Sequence, residues 1–272
     1  MNDVAAFARL IEALRPWLPR VVVVGGWAHR LHRLHPAADP PTHMPIVTRD
    51  VDLALCPTPP LEGDIGAALR AADFHLELTG DCEPPVVEYR LRDDSQAFYA
   101  EFLTPLRGRG DLRGGSPDAT LAMAGVTAQK LRYLDVLMVD TWGVRLGEEV
   151  GYPLARPADV LVPNPTCFIA QRMLIRNSRH PSKWAQDALY IHDTLELFGS
   201  HLQELRAIWL EHVKPGLSPR ALRTLDRVRL GQFGSMTDVL RDAAAIPQDR
   251  QLTPKDLQAL CELGLELVFD GP

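Results

Sequence analysis

Two aspartates separated by one residue lie in a short apolar stretch, "IVTRDVDLAL". Side chains at positions i and i+2 of a strand point to the same face, so Asp50 and Asp52 are expected to project together. Aspartate has a low preference for strands, and two carboxylates on one face repel unless a cation or a proton lies between them. An incidental pair on a solvent-facing strand edge is the competing interpretation.

A third acid favours a metal site over that interpretation. Glu101 lies in "FYAEFLTPL" among aromatic and aliphatic residues, where a carboxylate is expected to be paired or metal-bound. Three carboxylates from neighbouring strands would form a site for one or two Mg²⁺ ions, which prefer carboxylate and phosphate oxygens. Glu88 in "VVEYRL" is the second-ranked candidate for the third acid.

A glycine pair, Gly25 and Gly26, follows the apolar run "VVVV". Glycine lets the backbone approach a ligand closely, and the start of a helix presents free N–H groups to an anion. Alone, the pair would indicate only a tight turn from strand to helix. Together with the acids, it predicts a phosphate cradle beside a metal site.

The elements that must position these residues can be predicted from hydrophobic periodicity. The patterns predict a helix over 1–18, strands over "RVVVVGG" and "IVTRDVDLAL", and further strands at "HLELTG", "PVVEYRLRD" and "AFYAEFLTPLRG". After about residue 120 they predict helices, beginning with "ATLAMAGVTAQKLRYLDVLM". We therefore expect an α+β protein with an α/β domain over 1–115, in which helices flank a mixed sheet, and a mainly helical domain over 116–272. The glycine-rich "RGRGDLRGGSPD" is the expected linker or mobile loop.

Composition narrows the possible functions. With 272 residues and 46% hydrophobic side chains the chain can bury a sizeable core, and its formal net charge of -6 argues against a general nucleic-acid coat. No run reaches the roughly 18 apolar residues of a membrane helix. The four cysteines form no CxxC pair. These features predict a cytoplasmic protein with reduced cysteines and no membrane contact.

Taken together, "VVVVGGWAHRL", "TRDVDLAL" and "YAEFLTP" resemble the nucleotidyltransferase superfamily related to DNA polymerase β. Its signature is a strand, a glycine pair, a helix, a strand with DxD and a later strand with a third carboxylate. The stretches "AQKLRYLDVLM" and "VPNPTCFIAQRMLIRNSRHPSKWAQDALYI" resemble more narrowly a bacterial group of minimal-type nucleotidyltransferases that includes relatives of the AbiEii and MenA toxins. The resemblance spans about residues 20–195.

The resemblance implies transfer of a nucleoside monophosphate from an NTP to an acceptor, with release of pyrophosphate. Asp50 and Asp52 would hold two Mg²⁺ ions, which Mn²⁺ could replace, and the triphosphate. Glu101 would bind the catalytic metal and help to deprotonate the attacking hydroxyl. Many members have Ser near the glycine pair, whereas Trp27 follows it here, and the loop from Gly26 to Asp50 is long for the superfamily.

Nucleotide-binding residues are expected in two regions. Near the predicted carboxylates these are Gly25, Gly26, Trp27 and Thr48, which shares the face of the DxD pair. In the later region, the toxin-like relatives bind nucleotide with a lysine and an aspartate, and the matching positions are Arg172 and Asp187. Arg176, Arg179 and Lys183 continue the basic stripe, which His180-Pro181 is expected to break into a helical hairpin. A solvated charged face that is closed by an Arg-Asp pair is the alternative interpretation.

Several alternatives for function stay open. The acceptor could be tRNA or another RNA, a protein side chain, or a small molecule of the aminoglycoside type, and an antitoxin protein is a possible partner. The positive surface that an RNA would need could come from Arg107, Arg109 and Arg113 or from the basic stripe. The chain could instead be a catalytically silent nucleotide-binding protein of the same fold. A transition-metal site would use the four histidines His29, His32, His35 and His43.

Overall fold

The computed structural model describes residues 3–79, 86–92, 98–108, 110 and 118–270. The chain forms two compact units that are discontinuous in sequence. The first unit contains Met1–Leu34 and Val47–Val162, and the second contains His35–Ile46 and Pro163–Pro272. The first carries all of the described strands, and the second consists of helices with their connecting segments.

The first unit is an α/β structure. Its elements in chain order are α1 (Asp3–Leu14), β1 (Val21–Val24), α2 (Gly25–His32), β2 (Asp50–Leu55), α3 (Ile65–Ala71), β3 (Phe74–Thr79), β4 (Val86–Leu91), β5 (Tyr99–Pro105), β6 (Thr120–Met123), β7 (Val126–Leu131), β8 (Trp142–Leu146) and β9 (Ala158–Val162).

The strands form one mixed sheet in the order β3-β4-β5-β2-β1-β9-β8, with β7 paired to β5 and β6 paired to β7. The strand β2 is antiparallel to β1 and parallel to β5. The strand with the DxD pair therefore lies between the strand that leads into the glycine turn and the strand that carries Glu101.

Alternation of apolar and acidic residues fixes the register of the two central strands. Val51 and Leu53 of β2 and Ala100 and Phe102 of β5 are fully buried at 0% exposure. The residues between them, which include both aspartates, point to the opposite face. A slip by one residue would bury the acids and expose the apolar side chains, so this register is strongly specified.

The helix predicted over "ATLAMAGVTAQKLRYLDVLM" is wrong. These residues form the hairpin β6-β7, followed by a short 3-10 turn over Asp135–Met138. Ala124 and Gly125 make the hairpin turn with positive φ angles of 45° and 74°, a conformation typical of two-residue hairpin loops. The apolar spacing fits a helix, but the Ala-Gly turn and the edge of β5 select strands instead.

The second unit contains α4 and α5 as a helical hairpin, which confirms the predicted break at His180-Pro181. Asn164 caps the first of these helices by accepting a hydrogen bond from the Cys167 backbone N–H. The helices in chain order are α4 (Pro165–Ile175), α5 (Trp184–Leu197), α6 (Leu202–Ile208), α7 (Pro219–Val228), α8 (Asp238–Ala244) and α9 (Pro254–Phe269).

A mixed sheet with flanking helices confirms the expected combination of helices and strands. The predicted domains met at residue 115, whereas the two compact units divide after residue 162 because β6 to β9 hydrogen-bond to the sheet. Most of the predicted glycine-rich linker, including Arg109 and Arg113, lies outside the described residues. Cys56, Cys167 and Cys261 are free thiols. No helix in the described ranges combines the length and the apolar character that a membrane span requires.

Replacing Gly125 with alanine is expected to destabilise the first unit by roughly 1–3 kcal/mol. A Cβ there would lie 2.0 Å from Oδ1 of Asp64, and the φ angle is +74°. Asp64 caps α3, because its side chain accepts a hydrogen bond from the Ala67 N–H, so the clash would also disturb this helix. Urea unfolding measures the loss.

Gly143→Ala is the matched control for this measurement. A Cβ at Gly143, on β8, meets no atom within 4 Å, so its free energy of unfolding should change little. Equal losses in the two variants would contradict the packing of the hairpin turn against α3.

Candidate active site

The central feature of the site is the parallel pairing of β2 with β5. Asp50 lies opposite Tyr99, and Asp52 lies opposite Glu101. Residues opposite each other on neighbouring strands share a face of the sheet. The structure therefore brings the three predicted acids to one face of two adjacent strands.

The glycine turn touches the DxD pair directly. Gly25 has a φ angle of +65°, and a Cβ on it would lie 2.1 Å from Oδ2 of Asp52. The backbone can pass the carboxylate this closely only because glycine has no side chain. Since α2 begins at Gly25, the positive end of a helix dipole lies beside the Asp52 carboxylate.

Glu101 is the acid most affected by this arrangement. Burial and, in decreasing order of importance, the charges of Asp52, Glu88 and Asp50 together raise the pKa of Glu101 to about 8. Its usual value is 4.5. At neutral pH the side chain therefore holds a proton that a divalent cation could displace.

The face extends onto β4 and β3 through residues that the sequence analysis did not identify. Arg90 lies opposite Tyr99 on β4, and its guanidinium carbon is 4.8 Å from the centroid of the Tyr99 ring. Its Nε lies 2.8 Å from Oε2 of Glu77 on β3. The alternation of Glu88 with Arg90, two residues apart on a strand, was the signal that could have revealed this extension.

Glu88, the second-ranked third acid, is already engaged. It is 7% exposed, forms an ion pair of 2.5 Å with Arg90 and accepts a hydrogen bond of 2.8 Å from the Thr79 hydroxyl. Glu101 instead lies in register with Asp52. The geometry therefore favours Glu101 over Glu88 as the partner of the DxD pair.

Tyr99 is also perturbed by the acidic face. Burial raises the pKa of its hydroxyl, and the charges of Asp50 and Glu101 add to the increase. The phenol is therefore neutral across the physiological range and can donate a hydrogen bond beside the carboxylates.

The donor set at this face fits a hard divalent cation, because all three predicted ligands are carboxylates. In the structure, the carboxylate oxygens of these three side chains do not all lie within 4.8 Å of one another. Among the described residues, the group with that spacing is His43, Asp193 and Glu196 in the second unit. Asp50 and Asp52 are only partly buried, which leaves them room to rotate toward a shared ion.

The group around His43 has an internal cation. Arg250 forms hydrogen bonds with His43 and Asp193 and lies 3.9 Å from the Glu196 carboxylate. These contacts make the group an ion-pair network that attaches the segment 35–46 to α5.

The four histidines considered for a transition metal do not come together. His29 and His32 are buried at 1% and 0% exposure on α2 in the first unit. His35 belongs to the second unit, where burial and the nearby His201 lower its pKa. Of the four histidines, the group of His43, Asp193 and Glu196 includes only His43.

The residues predicted to bind nucleotide near the sheet take different positions. Trp27 is 1% exposed and stacks on Phe7 with a centroid distance of 4.0 Å, so only its backbone is available to a ligand at the turn. The Thr48 hydroxyl donates to the Asp50 carbonyl at 3.4 Å. Gly26 is buried at the start of α2.

The predicted basic stripe contains a buried ion pair. Arg172 and Asp187 are 5% and 2% exposed and are joined by a hydrogen bond of 2.6 Å from Nη1 to Oδ1. The Arg172 guanidinium lies between the rings of Phe168 and Tyr190, at 4.8 Å from each centroid. The alternative interpretation is therefore right that an arginine pairs with an aspartate here and wrong that the pair is solvated.

Arg176 and Arg179 complete the cluster within the second unit. Arg179 contacts the other oxygen of Asp187 at 3.1 Å. Arg176 donates to the Gln232 side chain at 2.6 Å and lies over the Trp184 ring, and burial lowers its pKa. Lys183 is exposed. The contacts of the three arginines are internal, and their nucleotide role stays a prediction.

Comparison with protein families identifies the chain. The model of the nucleotidyltransferase family matches residues 2–214, which is most of the sequence. The chain belongs to the nucleotidyltransferase family. This confirms the resemblance at the level of the superfamily and supports a transferase, whereas the relation to AbiEii and MenA toxins stays a prediction. Nucleotidyltransferases typically use divalent metal ions. A search of curated proteins gave no match.

Replacing Glu101 with glutamine should stabilise this nucleotidyltransferase more at high pH than at low pH. Because the pKa of Glu101 is raised from 4.5 to about 8, the native state retains a proton that the unfolded state loses in this range. The contribution of this proton to the free energy of unfolding is complete below pH 4.5 and is lost as the pH rises through 8.

Thermal melts in chelator-containing buffer at pH 5 and pH 9 test this linkage. The melting temperature of Glu101→Gln minus that of the native chain should increase by about 5 °C from pH 5 to pH 9. Glu62→Gln, which changes an exposed acid of the same unit, should show no such growth. A constant difference for Glu101→Gln would mean that burial and the neighbouring acids do not raise the pKa of Glu101.

Proposed function

We propose that the protein transfers a nucleoside monophosphate from an NTP to an acceptor hydroxyl, with Mg²⁺ as the metal and pyrophosphate as the leaving group. The observation that carries this proposal is the position of Asp52, which lies in register with Glu101 and against the backbone of Gly25. This places acids and free backbone N–H groups at one point of the sheet.

Asp50, Asp52 and Glu101 would hold two Mg²⁺ ions, or Mn²⁺ in their place. When bound, these ions neutralise the triphosphate and stabilise charge on the attacking and leaving oxygens. Gly25 and Gly26 would receive a phosphate group at the N-terminus of α2. Trp27 would support the turn from the core, where it stacks on Phe7.

Glu101 would also accept the proton of the attacking hydroxyl. The pKa of about 8 applies to Glu101 without a cation. A bound cation would displace this proton and leave the carboxylate that a general base needs. Tyr99 lies two residues before this acid on β5, and Arg90 lies opposite Tyr99 on β4. Their side chains would contact the acceptor or hold Glu101 in place.

The composition of the face bears on the acceptor. Arg90 forms ion pairs with Glu77 and Glu88. The acids on the face are Asp50, Asp52, Glu77, Glu88 and Glu101. Two bound ions would neutralise the charge of the three predicted ligands, so the charge that faces an acceptor is that of Glu77 and Glu88 with Arg90. Two acids with one cation favour a cationic acceptor over the phosphates of an RNA. Among RNA, protein and small-molecule acceptors, we therefore propose a small amine-bearing molecule with a free hydroxyl.

Incubation with each of the four α-labelled NTPs and Mg²⁺ tests the activity. A mixture of cellular RNA, protein and small polyamine or aminosugar compounds provides the acceptors, and the label is followed into each fraction. Label should enter the small-molecule fraction, and Asp50→Asn, Asp52→Asn and Glu101→Gln should each lower the rate by about 100-fold or more.

Asp159→Asn is the matched control, because Asp159 is an exposed acid on β9 of the same sheet. Its rate should equal that of the native chain. Transfer that survives both aspartate substitutions would exclude the proposed mechanism. NTP binding without transfer to any fraction would instead support the silent nucleotide-binding alternative.

A further inference from the structure

The strand β3 is an open edge of the sheet. It pairs with β4 on one side, and no strand among the described residues pairs with its other side. Its sequence, FHLELT, contains neither lysine nor proline, and its register with β4 continues without a bulge from Phe74 to Thr79. Lysine, proline and bulges are the features that usually keep an edge strand from pairing with another chain. The edge of β3 is therefore suited to accept a further strand.

Two hydrogen bonds show which backbone groups of β3 point to the open edge. The Arg92 N–H donates to the Asp73 carbonyl at 2.9 Å, whereas the Leu91 N–H donates away from β3, to the Phe98 carbonyl at 3.0 Å. Hydrogen-bonded and non-hydrogen-bonded pairs alternate along an antiparallel ladder. Every second residue after Asp73 therefore bonds to β4, and the residues between them direct their N–H and C=O groups outward. These outward residues are Phe74, Leu76 and Leu78.

The same part of β3 carries exposed apolar side chains. Leu76 and Leu78 are 52% and 62% exposed, and residues two apart on a strand share a face. A cavity of about 220 Å³ adjoins this face, and its wall includes Phe74, Leu76 and Tyr89. Exposed leucines beside an open strand edge favour a partner that covers both.

The charge pattern of β3 fits a second copy of the same strand. A two-fold axis perpendicular to the sheet keeps each face, so an antiparallel pair must be centred on a residue and its own counterpart. Centring on His75 sets histidine against histidine, and centring on Glu77 sets glutamate against glutamate. Centring on Leu76 sets each His75 against the partner's Glu77 and each Phe74 against the partner's Leu78. Opposite residues of unlike charge stabilise a pair of strands, whereas like charges destabilise it.

We propose that two copies of the chain join their β3 edges in antiparallel orientation, centred on Leu76, to form one continuous sheet. The outward N–H and C=O groups of Leu76 bond to those of its counterpart. His75 and the partner's Glu77 form a non-hydrogen-bonded pair, in which side chains lie closest. The partner's Leu78 packs beside Phe74 at the cavity. None of the three predicted metal ligands lies on β3, so this interface can fail without the proposed transfer reaction, and the reverse.

Sedimentation of the full chain over a range of concentrations tests the interface. The mass should rise to twice the 30.2 kDa of one chain, with a dissociation constant below about 100 μM. Leu76→Lys sets two like charges against each other at the axis and removes apolar contact, so it should weaken the dimer by about tenfold or more. Leu263→Lys, at a position 57% exposed on α9, is the matched control and should leave the dimer unchanged.

Two cysteine variants test the register. Opposite residues of a non-hydrogen-bonded pair have Cα atoms about 4.5 Å apart, which a disulfide can bridge. A mixture of His75→Cys and Glu77→Cys should therefore form a covalent dimer under mild oxidation. Each variant alone should give only the background of the native chain.

Three results would overturn the proposal. These are a monomer at every concentration up to about 200 μM, a dimer that folded Leu76→Lys does not weaken, and a mixture of the two cysteine variants that crosslinks no more than either variant alone. If Leu76→Lys does not fold, as judged by circular dichroism, the cysteine variants decide.

Discussion

Repulsion among carboxylates on one face of the sheet is the constraint on which the candidate active site depends. The register of β2 with β5 sets Asp52 beside Glu101, and this register is held by the apolar side chains on the other face, such as Leu53 and Phe102. The core thus keeps like charges together at a cost in stability. Burial of Glu101 and this repulsion together raise its pKa, and a divalent cation would relieve the repulsion.

The parts that sequence reasoning predicted are those in which local pattern and tertiary structure agree. Alternation in "RDVDLAL" gave the face of Asp50 and Asp52, and the glycine pair after "VVVV" gave the turn that Gly25 makes against Asp52. An acid among the apolar residues of "FYAEFLTPL" indicated Glu101, and the family resemblance supported this choice. Parallel pairing is a long-range contact, so the register of β2 and β5 could not be read from either strand alone.

The parts that sequence reasoning missed depend on contacts distant in sequence. Residues 120–131 have apolar spacing that also fits a helix, and only the turn at Gly125 and the edge of β5 make them strands. Arg172 looks like part of a surface stripe, but Asp187 and two aromatic rings allow it to be buried. Arg90 joins the acidic face because β4 pairs with the start of β5. Spacing along one element cannot reveal such partners.

Mn²⁺ binding coupled to proton release tests the central claim most directly. Calorimetric titrations at pH 7 in two buffers with different ionisation enthalpies give the number of protons released per ion bound. Because the pKa of Glu101 is about 8, the native chain should release nearly one proton at pH 7 and only about a tenth of a proton at pH 9, and Glu101→Gln should release none at either pH. Mn²⁺ binding without proton release at pH 7, or with the same release in Glu101→Gln, would contradict the account.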